Sequence, residues 1–254
     1  MKPVVVFLTD FGTADGFAGV LKGVALSINP DILPVDLTHD IPPFDILGGA
    51  LVLKAHYRYF PKGSVFVGVV DPGVGTDRKP IAVQTENYHF VGPMNGLFDL
   101  VLGEERIIRA VELNNPEYHL RAVNNTFHGR DIFTPAAAYI TKGVPLQKLG
   151  TPIEYQFLLD FPKVERLENG ALKGEIVYFD RFGNGVTNIP CGAFKYCVYR
   201  NLKGKYVRAF LEGERGKPNF TCGSFGFVEV FTPMGNFKEE FNARRGEEVI
   251  CYPL

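Results

Sequence analysis

Apolar residues run unbroken from Val4 to Leu8 and, interrupted only by Gly68, from Val65 to Val70. Continuous rather than alternating patterning marks strands covered on both faces, and so a parallel sheet between helices. Between these runs, Phe17 to Ile28 repeats its apolar positions with helical spacing, Ile32 to Leu37 gives a short strand, and Asp45 to Tyr59 gives a second helix. This alternation predicts right-handed βαβ crossovers. Ile81 to Gln84 and Tyr88 to Val91 read as a hairpin around Glu86-Asn87 that adds antiparallel strands, followed by a short helix at about Leu97 to Val101. An Ala-rich helix is expected from Ile132 to Thr141.

The pattern changes from about Pro145. A Pro-containing loop reaches Pro162, and the remaining apolar runs are short and strand-like: Lys173 to Phe179, Tyr206 to Leu211, Phe225 to Thr232 and Glu248 to Tyr252. The expected fold is an α/β N-terminal domain with a mostly parallel sheet flanked by helices, plus a smaller all-β, barrel-like C-terminal domain. The boundaries are 1–160 and 168–254, with a linker at about 161–167.

Composition narrows the partners. The 254 residues are 46% hydrophobic, enough for a substantial core, and 27 basic against 28 acidic residues leave a net charge of −1. No global field would hold nucleic acid or an anionic membrane, and no apolar run approaches membrane-spanning length. The expected partner is a small molecule or another protein. The opening MKPVVVFLTDFG reads as a first strand rather than a signal peptide. Cys191, Cys197, Cys222 and Cys251 match no zinc spacing and read as reduced core cysteines of a cytoplasmic protein. G-x-G-x-x-G after the first strand, P-loop and G-x-S-x-G motifs are absent.

Candidate chemistry gathers where strands stop. Asp71 ends the run Val65 to Val70, at the sheet edge where open α/β folds hold ligands, and Pro72, Gly73 and Gly75 turn the chain beside it. Asp71 is therefore either a ligand-facing carboxylate or an ordinary turn cap. Asp10 follows the first strand in the same way. Asp15, five residues later, is either a second carboxylate for the same ligand or the N-cap of the helix at Phe17. His128 and the amide of Gly129 precede the Ala-rich helix, where N–H groups and the helix dipole suit an anion or a polarised water. Asp180-Arg181-Phe182-Gly183-Asn184 offers a carboxylate, an aromatic face and an amide for an adenine base, or else an ordinary β-turn.

In this order, Thr9-Asp10-Phe11-Gly12 with Asp15, Thr38-His39-Asp40-Ile41-Pro42-Pro43, Asp71-Pro72-Gly73-Val74-Gly75-Thr76 with Arg78, Phe127-His128-Gly129-Arg130-Asp131, and Asp180-Arg181-Phe182-Gly183-Asn184 resemble the S-adenosyl-L-methionine hydroxide adenosyltransferases, relatives of the fluorinase and chlorinase enzymes. The resemblance spans both domains. It implies hydrolysis of S-adenosylmethionine to adenosine and L-methionine by water or hydroxide attacking the ribose C5′ carbon, with no cofactor and no metal. It implies catalysis by Asp71, Arg78, His128 and Gly129. By the same resemblance Asp10 binds the ribose hydroxyls, Asp15 and Asp180 the methionine ammonium, Phe182 and Asn184 the adenine, and Ser224 the carboxylate. Phe44 stands where the halogenases carry a Trp, and Phe225 where they carry an Arg. A homotrimer with sites between chains is implied as well. Whether Asp71 or His128 is the base stays open. Three other readings are a non-catalytic adenosine or S-adenosylmethionine sensor, a halide-using adenosyltransferase, and a metal-dependent hydrolase built on His39, Asp40, Asp71 and His128. Against halide, a carboxylate facing the nucleophile repels an anion by about 4 kcal/mol at 4 Å and an effective dielectric of 20.

Overall fold

The computed structural model describes residues 2–254, and the chain divides into two compact units, 1–159 and 160–254. In the first unit, strands β1 (Val4–Thr9), β2 (Leu33–Thr38), β3 (Val65–Val69), β4 (Pro80–Thr85), β5 (His89–Pro93), β6 (Ile107–Glu112) and β7 (Thr151–Ile153) form one sheet in the order β2-β1-β3-β5-β4-β6-β7. The helices are α1 (Phe17–Ile28), α2 (Ile46–His56), α3 (Asp99–Leu102), α4 (Thr134–Thr141) and α5 (Leu146–Leu149).

This sheet is mixed, which corrects the expectation of a mostly parallel one. β2, β1, β3 and β5 run parallel, whereas β5–β4, β4–β6 and β6–β7 pair antiparallel. The reason is the hairpin at 85–88, closed by the Thr85 amide donating to the Tyr88 carbonyl at 2.9 Å. Once β5 lies parallel beside β3, a tight hairpin can only set β4 antiparallel to it, and longer connections that carry α3 to α5 bring β6 and β7 in antiparallel as well. The apolar runs that suggested a wholly parallel sheet are β1 and β3, its buried centre. α1 and α4 pack on this centre, where Leu21, Ala25 and Ala137, all 0% exposed, meet Val5, Phe7 and Val67.

Strand order places the site. β1 is hydrogen-bonded to β2 on one side and β3 on the other, so the chain reverses its direction of travel across the sheet at β1/β3. Such a switch point opens a crevice beyond the carboxyl ends of the two strands. With Thr9 in register with Val69, Asp10 and Asp71 leave the sheet side by side.

The second unit holds β8 (Glu165–Arg166), β9 (Leu172–Phe179), β10 (Gly185–Pro190), β11 (Phe194–Tyr199), β12 (Leu202–Lys205), β13 (Asn219–Cys222), β14 (Phe227–Phe231) and β15 (Glu248–Pro253), with one short helix, α6 (Phe237–Glu240). Their order is β12-β11-β15-β9-β10-β14-β13, with β8 on β9. The outer ends approach through a Tyr206–Phe220 bridge and a 2.8 Å bond from the Val207 amide to the Phe220 carbonyl, so the sheet nearly closes into a barrel. Residues 161–167, expected as a linker, contain β8, and the Pro162 carbonyl accepts from Asn188 at 2.9 Å.

Two expectations are corrected here. Tyr206 to Leu211 is not a strand: β12 ends at Lys205 and 210–212 forms a single 3₁₀ turn. Tyr206 packs against the core, but the last apolar side chains of the run do not, since Phe210 is 47% and Leu211 78% exposed. The cysteines are not all reduced, because Cys191 and Cys222 form a disulfide with Cα atoms 5.2 Å apart. Cys191 follows β10 and Cys222 ends β13, and both strands flank β14, which brings the two together across 31 residues of chain. Cys197 and Cys251 remain buried thiols facing each other on β11 and β15. Among the described residues no helix is long and apolar enough to cross a membrane.

Candidate active site

A cavity of about 270 Å³ in the first unit lies at the β1/β3 switch point, lined by Asp10, Phe44, Asp71, His128 and Gly129 among others. Asp10 enters at the end of β1, and its Oδ2 accepts from the Phe44 amide at 2.8 Å. Phe44 has φ 67°, the left-handed region that a bulky side chain avoids. That bond, the Pro42 carbonyl accepting from Asp45, and Asp45 capping α2 through the Gly48 amide hold it there. The cost of this backbone leaves the Phe44 ring 71% exposed at the cavity.

Asp71 leaves β3 into a turn in which the Val74 amide bonds back to its carbonyl at 3.3 Å. Gly75 is required there: φ is 79°, and a Cβ would stand 2.3 Å from the Asn125 carbonyl oxygen. The turn returns Arg78 onto Asp71. The Arg78 Nε lies 2.9 and 3.0 Å from the two Asp71 oxygens, and Nη2 bonds Oδ2 as well. The side chains are 10% and 4% exposed, so this is a nearly dry ion pair. Arg78 Nη2 also lies 3.1 Å from His128 Nδ1, and its guanidinium covers the Phe133 ring at 5.2 Å.

The Arg78–His128 contact fixes a tautomer. A guanidinium has only donors, so Nδ1 must accept, leaving His128 neutral with its proton on Nε2. Burial first, and then the Arg78 charge, hold the His128 pKa below its ordinary value of 6.5, with Asp71 and Asp131 opposing more weakly. Burial raises the Asp10 pKa, with Asp71 adding to it, while the Phe44 amide works against the rise. His128 and Gly129 open the Ala-rich helix through a π-helical turn, Gly129–Phe133, that runs into α4. The helix was expected only from Ile132. Such turns concentrate at functional sites. A Cβ at Gly129 would meet the Phe11 ring at 3.3 Å, so glycine keeps this wall open.

Asp15 does not cap α1. The residue before α1 is Gly16, with no side-chain cap, and Asp15 is exposed and outside the cavity lining. Sequence reasoning also missed three aromatic residues of the wall. Phe11, Phe17 and Phe127 pack edge to face, with centroids 5.2–6.0 Å apart. Phe11 and Phe127 lie inside two of the motifs already singled out, which assigned them no role.

The second unit carries the other expected residues on two adjoining concavities. One, of about 480 Å³, is lined by Phe182, Asn184, Phe210, Thr232, Met234 and Gly235. Its rim is unusually apolar, with Phe182 73% and Met234 82% exposed. The other, of about 260 Å³, shares Phe182 and Asn184 and adds Asp180, Ser224, Arg208 and Glu229. Asp180 closes its own turn: Oδ1 accepts from the Phe182 and Asn184 amides at 2.9 and 2.8 Å, and Oδ2 from Asn184 Nδ2 at 3.0 Å. The β-turn reading of this pentapeptide and its place in a cavity therefore both hold. That last bond leaves the Asn184 carbonyl oxygen as the free end of its amide. Glu229 was missed, although a glutamate inside the apolar strand Phe227–Phe231 was visible in the sequence.

Comparison with known proteins decides the family. The family model described as SAM hydroxide adenosyltransferase N-terminal domain matches residues 5–150, and the corresponding C-terminal domain matches 174–250. The chain belongs to the SAM hydroxide adenosyltransferase family. This agrees with the resemblance carried by its motifs. Relatives of the chain include the (R)-S-adenosyl-L-methionine hydrolase of Thermus thermophilus, 37% identical over 98% of this chain and 99% of that one. The enzyme of the same name from Methanocaldococcus jannaschii is 33% identical over 97% and 94%. A fluorinase from an Actinoplanes species is 29% identical over 74% of this chain and 72% of its own. The crystal structure of an uncharacterised conserved protein from Thermotoga maritima superposes with a TM-score of 0.88 at 32% identity, covering 98% and 99% of the two chains.

Proposed function

We propose that this protein hydrolyses S-adenosyl-L-methionine to adenosine and L-methionine, by attack of an activated water on the ribose C5′ carbon. The observation that carries the mechanism is the Asp71–Arg78–His128 array, whose Asp71 and His128 line a cavity at the switch point with Arg78 behind them. The sulfonium departs as a neutral thioether, so no acid is needed at the leaving group. The work left to the protein is to hold water in line with the departing sulfur and to take its proton, and positioning alone is worth about 7–11 kcal/mol in the best intramolecular cases.

The roles follow from the hydrogen-bond inventory. The His128 Nδ1 lone pair is engaged by Arg78, so His128 offers an Nε2–H donor and orients the water. Asp71, paired with Arg78, is the proton acceptor. Once the proton has moved, Arg78 and His128 face the developing hydroxide with donors. Asp10 binds the ribose hydroxyls, Gly129 gives the nucleophile room beside Phe11, and the Phe44 and Phe127 faces meet the sulfonium as aromatic rings meet cations. In the second unit Phe182 stacks on the adenine, the Asn184 oxygen accepts from its amino group, and Ser224 meets the carboxylate. No cofactor or metal enters this scheme, and nucleic acid has no part in it.

The test is product analysis by mass spectrometry after incubation with S-adenosylmethionine, with and without chelator and with and without chloride. Adenosine and methionine in equal amounts under all conditions support the reading. Tight binding with no product makes the protein a sensor, and 5′-chloro-5′-deoxyadenosine makes it a halogenase.

Two further outcomes follow. At saturating substrate, kcat stays level as pH falls to 6.5 and declines only below it, because the imidazolium forms at the depressed His128 pKa and Nδ1 can then no longer accept from Arg78. A decline centred at or above that pH would remove His128 from the scheme. The family resemblance also implies a homotrimer in which each site draws on two neighbouring chains. Asp71→Ala and Asn184→Ala proteins, each inactive alone, then recover part of the activity when co-assembled. A monomeric mass in light scattering, or no recovery, contradicts that arrangement.

A further inference from the structure

One buried carboxylate of the second unit has no part in the scheme above. Glu229 sits in the middle of β14 between Val228 and Val230, both 0% exposed, and is itself 4% exposed. Among the described residues nothing donates a hydrogen bond to it, and the one charge acting on it is that of Asp180. It lines the cavity that also holds Asp180, Ser224 and Arg208. The Gly223 backbone lies directly over it, since a Cβ there would stand 2.0 Å from Glu229 Oε1. A buried carboxylate without a partner is costly, and a cationic ligand group is the partner this cavity lacks. Burial, and then the Asp180 charge, push its pKa up to about 7.

Asp180, expected together with Asp15 to take the methionine ammonium, is already engaged within its own turn. Both its oxygens already accept bonds from Phe182 and Asn184. In this cavity the unengaged carboxylate is Glu229.

We infer that Glu229 is the specificity-determining anchor for the α-ammonium group of the substrate, with Asp180 contributing its charge and Arg208 and Ser224 facing the α-carboxylate. This rests on the reading of the protein as an S-adenosylmethionine hydrolase. Because an ammonium partner favours the carboxylate, binding in the acid range displaces a proton from Glu229, and affinity increases as pH rises through about 7. The charged groups that share its cavity are Asp180, from the turn before β10, and Arg208, from the segment after β12. The strands on either side oppose Glu229 with Val186 and Thr221, which do not titrate, and Cys222 is held in its disulfide.

Steady-state hydrolysis tests this with wild-type protein and Glu229→Gln, using S-adenosylmethionine and its analogue lacking the α-amino group. The expected result is a KM for S-adenosylmethionine raised roughly tenfold or more in the variant, with kcat little changed and equal KM values for the analogue in both proteins. In the wild type, the ratio of analogue KM to S-adenosylmethionine KM climbs between about pH 6 and 8; in the variant it is flat. An unchanged KM in Glu229→Gln overturns the inference, as does an equal loss for the analogue. Should the variant not fold, a ratio that stays flat with pH in the wild type overturns it. A wild-type protein that does not hydrolyse S-adenosylmethionine at all overturns the functional reading itself, which separates the two failures.

Discussion

Replacing Asp71 with Asn lowers kcat/KM for S-adenosylmethionine by about 10³ or more, while the folded state is retained. The side chain keeps its shape and one acceptor oxygen, so the cavity and the approach of Arg78 survive. What is lost is the group that takes the proton. Positioned general bases contribute about 10²–10⁴ in rate. The change also leaves the Arg78 charge, 10% exposed, without its counter-ion beside a water that must become hydroxide. Rates measured with the variant and a matched circular-dichroism melt check the claim, and undiminished turnover would sink the assignment of Asp71 as base. In the same variant a halide should gain access to the nucleophile position, since its repulsion by the carboxylate is gone.

The second large effect is on stability. Arg78→Met removes one partner of an ion pair whose carboxylate is 4% exposed, and breaking such a pair from one side costs about 3–5 kcal/mol. The loss concentrates in the turn 71–78, which is otherwise held by a few backbone bonds such as Thr76 to Gly73 at 3.2 Å. Asp71→Asn combined with Arg78→Met should recover most of that stability, because the stranded carboxylate is no longer charged. Urea denaturation of the two single variants and the double variant gives the coupling directly. If Arg78→Met unfolds at the wild-type midpoint, the pair does not hold the turn.

What the sequence carried was the parts of the site whose residue types are unusual for their place. Asp10 and Asp71 end continuous apolar runs, and that pattern was enough to set them on one sheet edge, where the register of Thr9 with Val69 puts them. Arg78 was intelligible only once the glycine turn was seen to fold back. The sheet was misjudged because β1 and β3, its buried centre, look parallel and are, while the direction of β4 is decided by a hairpin and that of β6 and β7 by long-range pairing, which leave little mark on hydropathy. The run Tyr206 to Leu211 was misread as a strand for the converse reason. Its Phe210 lines an open concavity, and hydropathy does not distinguish a cavity-facing Phe from a core-facing one. The Cys191–Cys222 link depends on both residues flanking β14, a long-range pairing with no local signal. Glu229 left the clearest unread signal, a charge in the interior of an apolar strand.

The central claim, that water attacks C5′ under the control of Asp71, is tested most directly by turnover in water enriched in oxygen-18. The expected products are adenosine with one heavy oxygen, at its 5′-hydroxyl, and unlabelled methionine, both formed about 10³-fold more slowly by Asp71→Asn. Methylthioadenosine as product, or label in the methionine carboxylate instead of the ribose, would contradict it.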